Sequence, residues 1–318
     1  MKMDNSVKSI AVFVSFICAF VIAISCKDDL AKQKSENPVI AKAEIKSETL
    51  KPAFQPSKDF NEYWYTGKAE ISSYKLEQAR YGEIRDGKAV LVFVTEDFLP
   101  EIQVKADNYS KDNIPVLKLN ATKNFNTGIY PYSIMQSTFY PVSNNKHALK
   151  VSASIQEWCG HVYAQLNNRD NFEIMSHSYF QSEADQELTL KKSITENQLW
   201  TQLRINPQSL PTGNIKAIPS LEYMRLKHGK FGAYDAKAEL KNNSYTLFYP
   251  DLNRTLTINF NQEFPHDILG WEETFRDGYG PNAKLLTTKA TKIKTIKSAY
   301  WSKNSNADKG LRKTLGLK

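Results

Sequence analysis

A run of alternating apolar and polar residues at 149–181 constrains the fold of this 318-residue chain more than any other stretch. Successive side chains of a β-strand point to opposite faces, so that every second residue shares a face. Val162, Ala164 and Leu166 therefore face one way, and the residues between them face the other. The polar segment 167–170 separates this run from a second alternating run, which predicts a β-hairpin.

A turn centred near Arg169 sets His161 opposite His177 in this hairpin. The same register sets Cys159 opposite Tyr179, and the Cβ atoms of directly opposed residues lie about 5 Å apart. One face of the hairpin then collects five candidate functional side chains: Glu157, Cys159, His161, His177 and Tyr179. The first four of these are the candidate catalytic residues.

Three interpretations of this face stay open. Cys159, His161 and His177 are zinc-type ligands, which predicts a metal site. A cysteine beside a histidine also suits a nucleophile activated by a base. The interpretation we favour is a polar outer face without chemistry, so that no metal and no cofactor are expected.

Short runs with similar patterns follow one another along the chain, separated by Gly, Pro, Asn and Asp. They predict further strands over residues 62–81, 89–94, 114–119, 132–140, 221–226, 233–240, 244–249, 255–260 and 285–296. A sheet of this size must curl, close or be covered to protect its edges. The expected fold is mainly β: a large curved antiparallel sheet or unclosed barrel with one packed helix, in a single domain over residues 58–318.

The one packed helix is predicted after residue 193. Ser193 and Glu196 have the spacing of a capping box, in which each side chain binds the backbone N–H of the other residue. Leu199 and Leu203 lie one turn apart and form an apolar face. Pro207 ends the helix, because the residue before a proline disfavours helical geometry.

The first 25 residues predict a secretory signal peptide. Lys2 and Lys8 precede an apolar run over 10–24 that is too short to span a bilayer comfortably, since about 20 residues are needed. The residues that end at Cys26, Ala-Ile-Ser-Cys, resemble the lipobox of bacterial lipoproteins. This resemblance implies cleavage after Ser25 and attachment of a lipid that carries palmitate-type chains to Cys26.

The next residues predict where the protein is exported. Lys27, Asp28 and Asp29 resemble the export signal of surface lipoproteins in Bacteroidetes-type bacteria, a lysine followed by two acids. The resemblance implies a protein anchored in the outer membrane and exposed at the cell surface. Residues 26–57 are rich in Lys, Glu and Ser and lack apolar periodicity, which predicts a flexible tether after the lipidated cysteine.

Composition narrows the expected partners. The net charge is +8, but the lysines are spread along the chain without the arginine and aromatic clusters of a nucleic-acid surface, so no nucleic-acid partner is expected. Of the three cysteines, Cys18 lies in the signal peptide and Cys26 is the lipid site, which leaves Cys159 without a partner for a disulfide.

Five short motifs carry a family resemblance. They are Pro131-Tyr132-Ser133, residues 156–161 (QEWCGH), Ser178-Tyr179-Phe180, residues 210–213 (LPTG) and residues 270–274 (GWEET). Together they resemble an uncharacterised family of flavobacterial (Bacteroidetes) lipoproteins, sometimes labelled septum formation inhibitor Maf. True Maf proteins are cytoplasmic nucleotide pyrophosphatases with an α/β fold and a Ser-x-Arg motif near the N-terminus. The chain lacks that motif there, so the resemblance implies no activity.

The chain also lacks the nucleophile elbow, phosphate-binding loop and metalloprotease motifs of common enzymes. We therefore expect a non-enzymatic binding or structural module that takes an apolar or glycan ligand or an envelope protein. The alternative is a metal-dependent or Cys/His-dependent hydrolase that uses the face of the hairpin at residues 157–179.

Overall fold

A computed structural model describes residues 55–143 and 146–317. The predicted signal peptide, the lipid site Cys26, the export signal at Lys27, Asp28 and Asp29, and the tether up to residue 54 lie outside the described residues. Within them, no helix is both long and apolar enough to cross a membrane.

In the described part of the chain, sixteen strands form one sheet. The strands are β1 Ala69–Arg80, β2 Glu83–Leu99, β3 Val104–Lys105, β4 Ile114–Thr127, β5 Tyr130–Pro141, β6 Lys150–Glu157, β7 Gly160–Asn168, β8 Phe172–His177, β9 Gln186–Leu190, β10 Ile194–Thr195, β11 Gly213–Ile218, β12 Tyr234–Lys241, β13 Ser244–Tyr249, β14 Arg254–Phe260, β15 Ile268–Asp277 and β16 Lys284–Ser298. The helices are α1 Lys58–Trp64, α2 Glu196–Ile205, α3 Leu221–Leu226 and α4 Gly310–Thr314, and 3-10 turns lie at Pro207–Ser209, Gly280–Asn282, Tyr300–Ser302 and Asn306–Lys309.

The strand order is β10-β11-β12-β13-β14-β15-β16-β1-β2-β4-β5-β6-β7-β8-β9, with β3 paired to β2. All pairs are antiparallel except β10 with β11. β9 and β10 lie at the two edges of the sheet and do not close it into a barrel. The predicted fold class is confirmed.

The sheet curves around α2. Two consecutive helix residues reach strands that are six places apart in the sheet. Glu196 binds Arg254 of β14, and Asn197 binds Gln136 of β5. Six inter-strand steps of about 4.8 Å would separate these strands by roughly 29 Å in a flat sheet. Adjacent side chains cannot span that distance, so the sheet bends until both strands face the start of the helix.

The start of α2 differs from the prediction. Thr195 caps the helix by accepting from the Gln198 N–H, and the Gln198 side chain accepts from the Thr195 N–H. The capping box therefore lies two residues after the predicted one at Ser193. The reason is tertiary, because Ile194 and Thr195 pair with β11 as the short strand β10 and cannot be helical.

Two predicted strands contain helices. Residues 221–226 form α3, capped by the Ser220 hydroxyl, and all six are buried, so that no alternation could distinguish helix from strand. The predicted strand over 62–81 begins with the end of α1, whose Phe60 and Trp64 lie one turn apart on the buried face. Gly67, with φ +66°, lies in the bend that leads into β1.

The strands have two distinguishable ends. The connections after β1, β4, β6, β8 and β15 all lie at one end, here called the turn end. The other end, here called the entry end, holds α1 and the first residue of β1. Ala69 pairs there with Ser298, the last residue of β16. Because β1 has 12 residues, about 40 Å separate the two ends.

Candidate binding site

Aromatic side chains line the turn end. Tyr81, Tyr130, Trp158, Tyr179 and Tyr279 form what we call the aromatic rim. Tyr279 and Trp158 are each 68% exposed, although large aromatic side chains usually bury most of their surface. Clustered exposed aromatic surface marks a binding site more often than scattered single residues do.

Ring contacts join the members of the rim across separate turns. Tyr81 stacks on Tyr279 with ring centroids 6.3 Å apart, and Tyr130 lies 6.4 Å from Trp158. The hydroxyl of Tyr132 lies 2.8 Å from that of Tyr81, and its ring lies 6.0 Å from that of Tyr130. The rim is therefore continuous from the turn after β15 to the turn after β6.

The buried side chain of Arg80 supports the half of the rim around Tyr81 from the interior of the sheet. Its guanidinium lies 4.1 Å from the centroid of the Tyr81 ring and donates to the Tyr132 hydroxyl at 3.0 Å. It also donates to the Leu226 carbonyl at the end of α3 at 2.9 Å. One buried cation thus fixes both tyrosines relative to the helix inside the sheet.

The other half of the rim is built around Glu157. Its carboxylate accepts from the Tyr179 hydroxyl and from the Cys159 N–H, both at 2.7 Å. Although burial favours the neutral acid, these hydrogen bonds leave the pKa of Glu157 below its usual value. A Cβ at Gly160 would lie 2.9 Å from the Tyr179 ring, so glycine lets the ring rest on the backbone.

The predicted hairpin is in fact three strands, because β6 and β7 join through a tight turn at residues 158–159. His177 of β8 pairs with Tyr163 of β7, and His161 of β7 pairs with Gln156 of β6. The predicted pairing of His161 with His177 is therefore wrong by two residues. The turn is centred on Asp170 rather than Arg169, and an even shift keeps both histidines on one face.

The candidate residues of that face have other partners. His177 lies 3.3 Å from Asp185. Hydrogen bonding to Glu157 raises the pKa of the exposed Cys159 thiol, which disfavours the nucleophilic thiolate. Within residues 55–143 and 146–317, no group of three or more His, Cys, Asp or Glu side chains could hold a metal ion. A role for Glu157, Cys159, His161 and His177 in catalysis stays a prediction.

The interior of the curved sheet contains a charged cluster that the sequence analysis missed. Five ionisable side chains line a cavity of about 40 Å³ together with two tryptophans: Lys123, Glu196, Glu222, Arg254, Glu273, Trp200 and Trp271. Each charge has a partner. Arg254 binds Glu196 and Glu273, and Lys123 binds Glu222 at 2.8 Å. A cavity of this size holds a few water molecules, since one water needs about 10–15 Å³.

A second small cavity, of about 20 Å³, lies between α3 and strands β6 to β8. Arg225 lines it and is 8% exposed, and its Nε and Nη1 have no hydrogen-bond partner among the described residues. Its guanidinium lies 4.4 Å from the Phe180 ring centroid, directly beside Tyr179 of the rim. A buried arginine therefore supports the second half of the rim, as Arg80 supports the first.

Local sequence signals for the rim do exist. Each of four rim aromatics lies within two residues of a glycine in a strand connection or at the first position of the next strand: Tyr81 with Gly82, Tyr130 with Gly128, Trp158 with Gly160 and Tyr279 with Gly280. Glycine at a turn marks where a strand ends. An aromatic residue beside such a glycine is placed at the tip of the sheet, where it remains partly exposed.

A scan against models of known protein families finds no match, and a search of curated proteins finds none. Among solved structures, the chain is similar to a β-barrel-like protein of the domain of unknown function DUF1849 from Brucella abortus. The identity is 8%, the TM-score is 0.42, and the match covers 72% of this chain and 97% of that one. A porin-like protein from Bacteroides uniformis gives 7% identity and a TM-score of 0.21, over 72% and 96% of the two chains. Likenesses this weak assign no function, and the resemblance to flavobacterial lipoproteins stays a prediction.

Proposed function

We propose that this chain is a lipid-anchored, non-enzymatic binding module of the bacterial outer membrane whose aromatic rim binds a glycan chain. The observation that carries the proposal is the continuous, partly exposed rim at the turn end of an otherwise filled sheet. The proposed lipid anchor rests on the predicted signal peptide and Cys26. The proposed surface location rests on Lys27, Asp28 and Asp29.

The interior argues against an enclosed apolar ligand. Small-molecule pockets have volumes of about 300–1,000 Å³. The two interior cavities measure about 40 and 20 Å³, because α2 and α3 fill the concave side of the sheet. A lipid chain would have to displace the buried ion pairs of Arg254 and Lys123 to enter. Binding at the surface of the turn end requires no such change.

The chemistry of the rim suits a sugar chain better than a purely apolar ligand. Aromatic faces pack on the apolar faces of sugar rings, while hydroxyls and carboxylates bind the sugar hydroxyls. The rim supplies both kinds of group, since the Glu157 carboxylate binds the Tyr179 hydroxyl in the same rim where the rings of Tyr130 and Trp158 meet. A surface for apolar ligands alone would lack these polar groups.

The test measures binding of the chain from residue 27 onward to three soluble polysaccharides: a neutral β-glucan, a xylan and a uronate-containing polymer. We expect one of them to retard the protein in affinity electrophoresis. Trp158→Ala and Tyr279→Ala should each weaken that binding about 5- to 30-fold, since an aromatic contact is worth about 1–2 kcal/mol.

The matched control is Tyr109→Ala, because Tyr109 is 85% exposed and lies between β3 and β4 at the entry end. This variant should bind as the wild type does. If the three polysaccharides all fail to bind, or if the control loses as much affinity as Trp158→Ala, the rim is not a glycan site. Release of reducing sugar ends during binding would instead support the hydrolase alternative.

The anchor is tested separately in cells that express the whole chain. An alkyne-bearing palmitate analogue should label the wild type but not Cys26→Ser. Replacing Lys27, Asp28 and Asp29 by alanine should keep the label but protect the protein from protease added outside the cells. Label on the Cys26→Ser variant would overturn the anchoring part of the proposal.

A further inference from the structure

The positive charge of the protein is concentrated in one segment. Residues 284–317 contain nine Lys or Arg and a single acidic residue, Asp308. The net charge of the whole chain is +8. The rest of the chain therefore carries equal numbers of basic and acidic residues, and this segment alone makes the protein basic.

The segment leaves the sheet and then returns to it. After β16 it passes through two 3-10 turns and α4, and its last residues return to the outer face of the sheet. Leu315 and Leu317 pack there against Ala69, Ile71 and Val94. The Ser73 hydroxyl also donates to the Leu315 carbonyl at 2.5 Å. The end of the chain is thus held against the outside of β1, β2 and β16.

Not all of its basic side chains are available. Lys292 binds Asp267 and Lys297 donates to the Tyr63 carbonyl, both toward the inside of the sheet, while Lys289 pairs with Glu272. Of the six that remain, Lys284 lies apart from the others, at the turn end where β16 begins. The other five are exposed and lack an acidic partner in the described part of the chain: Lys294, Lys303, Lys309, Arg312 and Lys313. We call these five residues, with Ile293, Tyr300 and Trp301, the basic face.

The apolar members of the basic face are also exposed. Tyr300 and Trp301 are 40% and 51% exposed, with ring centroids 5.5 Å apart, and Ile293 lies on the same strand as Lys294. Tryptophan and tyrosine prefer the headgroup region of a bilayer, where one part of the ring is apolar and the other is wet. Lysine and arginine are attracted to anionic headgroups over about one Debye length.

The position of the basic face fits a membrane partner. Tyr300 and Trp301 lie two and three residues after Ser298, which pairs with Ala69 at the entry end. The first described helix, Lys58–Trp64, lies at the same end, where Tyr63 contacts Lys297, and the predicted lipid site precedes this helix in the sequence. We propose that the basic face docks on a bilayer that carries anionic phosphate headgroups.

The test uses the chain from residue 27 onward, which lacks the predicted lipid but keeps every described residue. Its binding to phosphatidylcholine vesicles is compared with its binding to vesicles that also contain phosphatidylglycerol. We expect sedimentation with the anionic vesicles only, and loss of binding at high salt. Each exposed cation contributes about fivefold to the partition coefficient, so Lys303→Glu/Lys309→Glu/Lys313→Glu should reduce it at least tenfold.

The matched control reverses three exposed lysines elsewhere, Lys88→Glu/Lys237→Glu/Lys241→Glu, which changes the net charge by the same amount. It should bind close to the wild-type level. Trp301→Ala should weaken binding without changing its salt dependence, because it removes an apolar contact and no charge. The thermal midpoint of each variant is checked first, so that only folded variants are compared.

Three results would overturn the proposal. The first is equal binding of the wild type to both kinds of vesicle. The second is an equal loss in the control variant, which would make net charge the cause rather than this surface. The third is retention on an acidic polysaccharide without any binding to anionic vesicles, which would assign the basic face to a polymer partner.

Discussion

Replacement of Arg204 by methionine should lower the free energy of unfolding by about 3–5 kcal/mol, because it leaves a buried carboxylate without its cation. Arg204 of α2 and Glu70 of β1 are 1% and 0% exposed. Two parallel hydrogen bonds of 2.6 and 2.7 Å join them, and the third donor of the guanidinium binds the Pro265 carbonyl. This pair attaches the interior helix to the centre of the sheet.

The size of the loss in unfolding free energy follows from the side chains that still contact Glu70 and fill the space after the substitution. Methionine keeps most of the side-chain volume between the rings of Trp64 and Phe93, which flank the guanidinium at 5.0 and 4.7 Å, so a cavity contributes little. Among the described residues, the Glu70 carboxylate keeps only the Tyr63 hydroxyl as a side-chain hydrogen-bond donor. At roughly 2–4 °C per kcal/mol for a domain of this size, the thermal midpoint should fall by about 6–20 °C.

The double variant Glu70→Gln/Arg204→Met separates the buried charge from the packing. It removes the carboxylate together with its cation, so it should recover at least about 2 kcal/mol relative to Arg204→Met alone. Urea unfolding followed by far-UV circular dichroism measures both variants. A cost below about 1 kcal/mol for the single variant, or a double variant that is no more stable, would refute the reasoning.

The same pair sets a pH dependence. Burial alone would raise the pKa of Glu70, but Arg204 and its hydrogen bonds hold it below the usual value of 4.5. Its native pKa is thus lower than its unfolded pKa, so its contribution to stability is present above about pH 4.5 and is lost as the pH falls through the native value. The double variant should lose less stability between pH 5 and about pH 3 than the wild type does.

Three further predictions concern single positions. Gly270→Ala should destabilise the domain by more than about 2 kcal/mol in urea unfolding, since its Cβ would lie 2.2 Å from the Ala290 carbonyl oxygen of the next strand. Glu157→Gln should speed the alkylation of Cys159 by iodoacetamide at pH 8, because the carboxylate raises the pKa of that thiol; an unchanged rate would contradict this. Burial and neighbouring carboxylate charge raise the pKa of Glu222, so its native state holds the proton more tightly. Glu222→Gln should therefore flatten the decline in stability as the pH rises above 4.5, measured by thermal unfolding across pH.

The sheet was predictable because alternation is a local signal. Along β6, β7 and β8, buried and more exposed side chains alternate in the structure as apolar and polar residues do in the sequence, and Val162, Ala164 and Leu166 are buried. The predicted register was wrong by two residues, since the centre of a turn is set by the backbone at residues 169–171 and not by the apolar pattern. Only an odd error would have moved a side chain to the other face.

The short helices were harder to predict because tertiary packing overrides local preference. In α1, the aromatic residues favour a strand by propensity, yet Phe60 and Trp64 occupy one helical face against the core. In α3, residues inside the curved sheet are buried on every side, which removes the polar face that would reveal a helix. Buried charges such as Arg254 and Glu196 cannot be distinguished from surface residues by type alone.

The rim could not be assembled from the sequence, although its turn glycines were visible. Tyr81, Tyr130, Trp158 and Tyr279 are far apart in the chain and meet only because β1 pairs with β16 and β2 pairs with β4. That strand order depends on long-range pairing, which no local pattern specifies. The same holds for the interior, where Arg80 of β1 reaches Tyr132 of β5 only because the sheet curves.

The two proposed surfaces have different requirements, which makes their roles separable. The rim lies at the turn end and the basic face begins at the entry end, about 40 Å away along β1. A domain that docks through the basic face would present the rim away from the bilayer, where a long glycan can reach it. Charge reversal at Lys303, Lys309 and Lys313 should then leave the affinity for a soluble polysaccharide unchanged while it weakens vesicle binding. A variant that lost both would show that the two surfaces are coupled through the sheet.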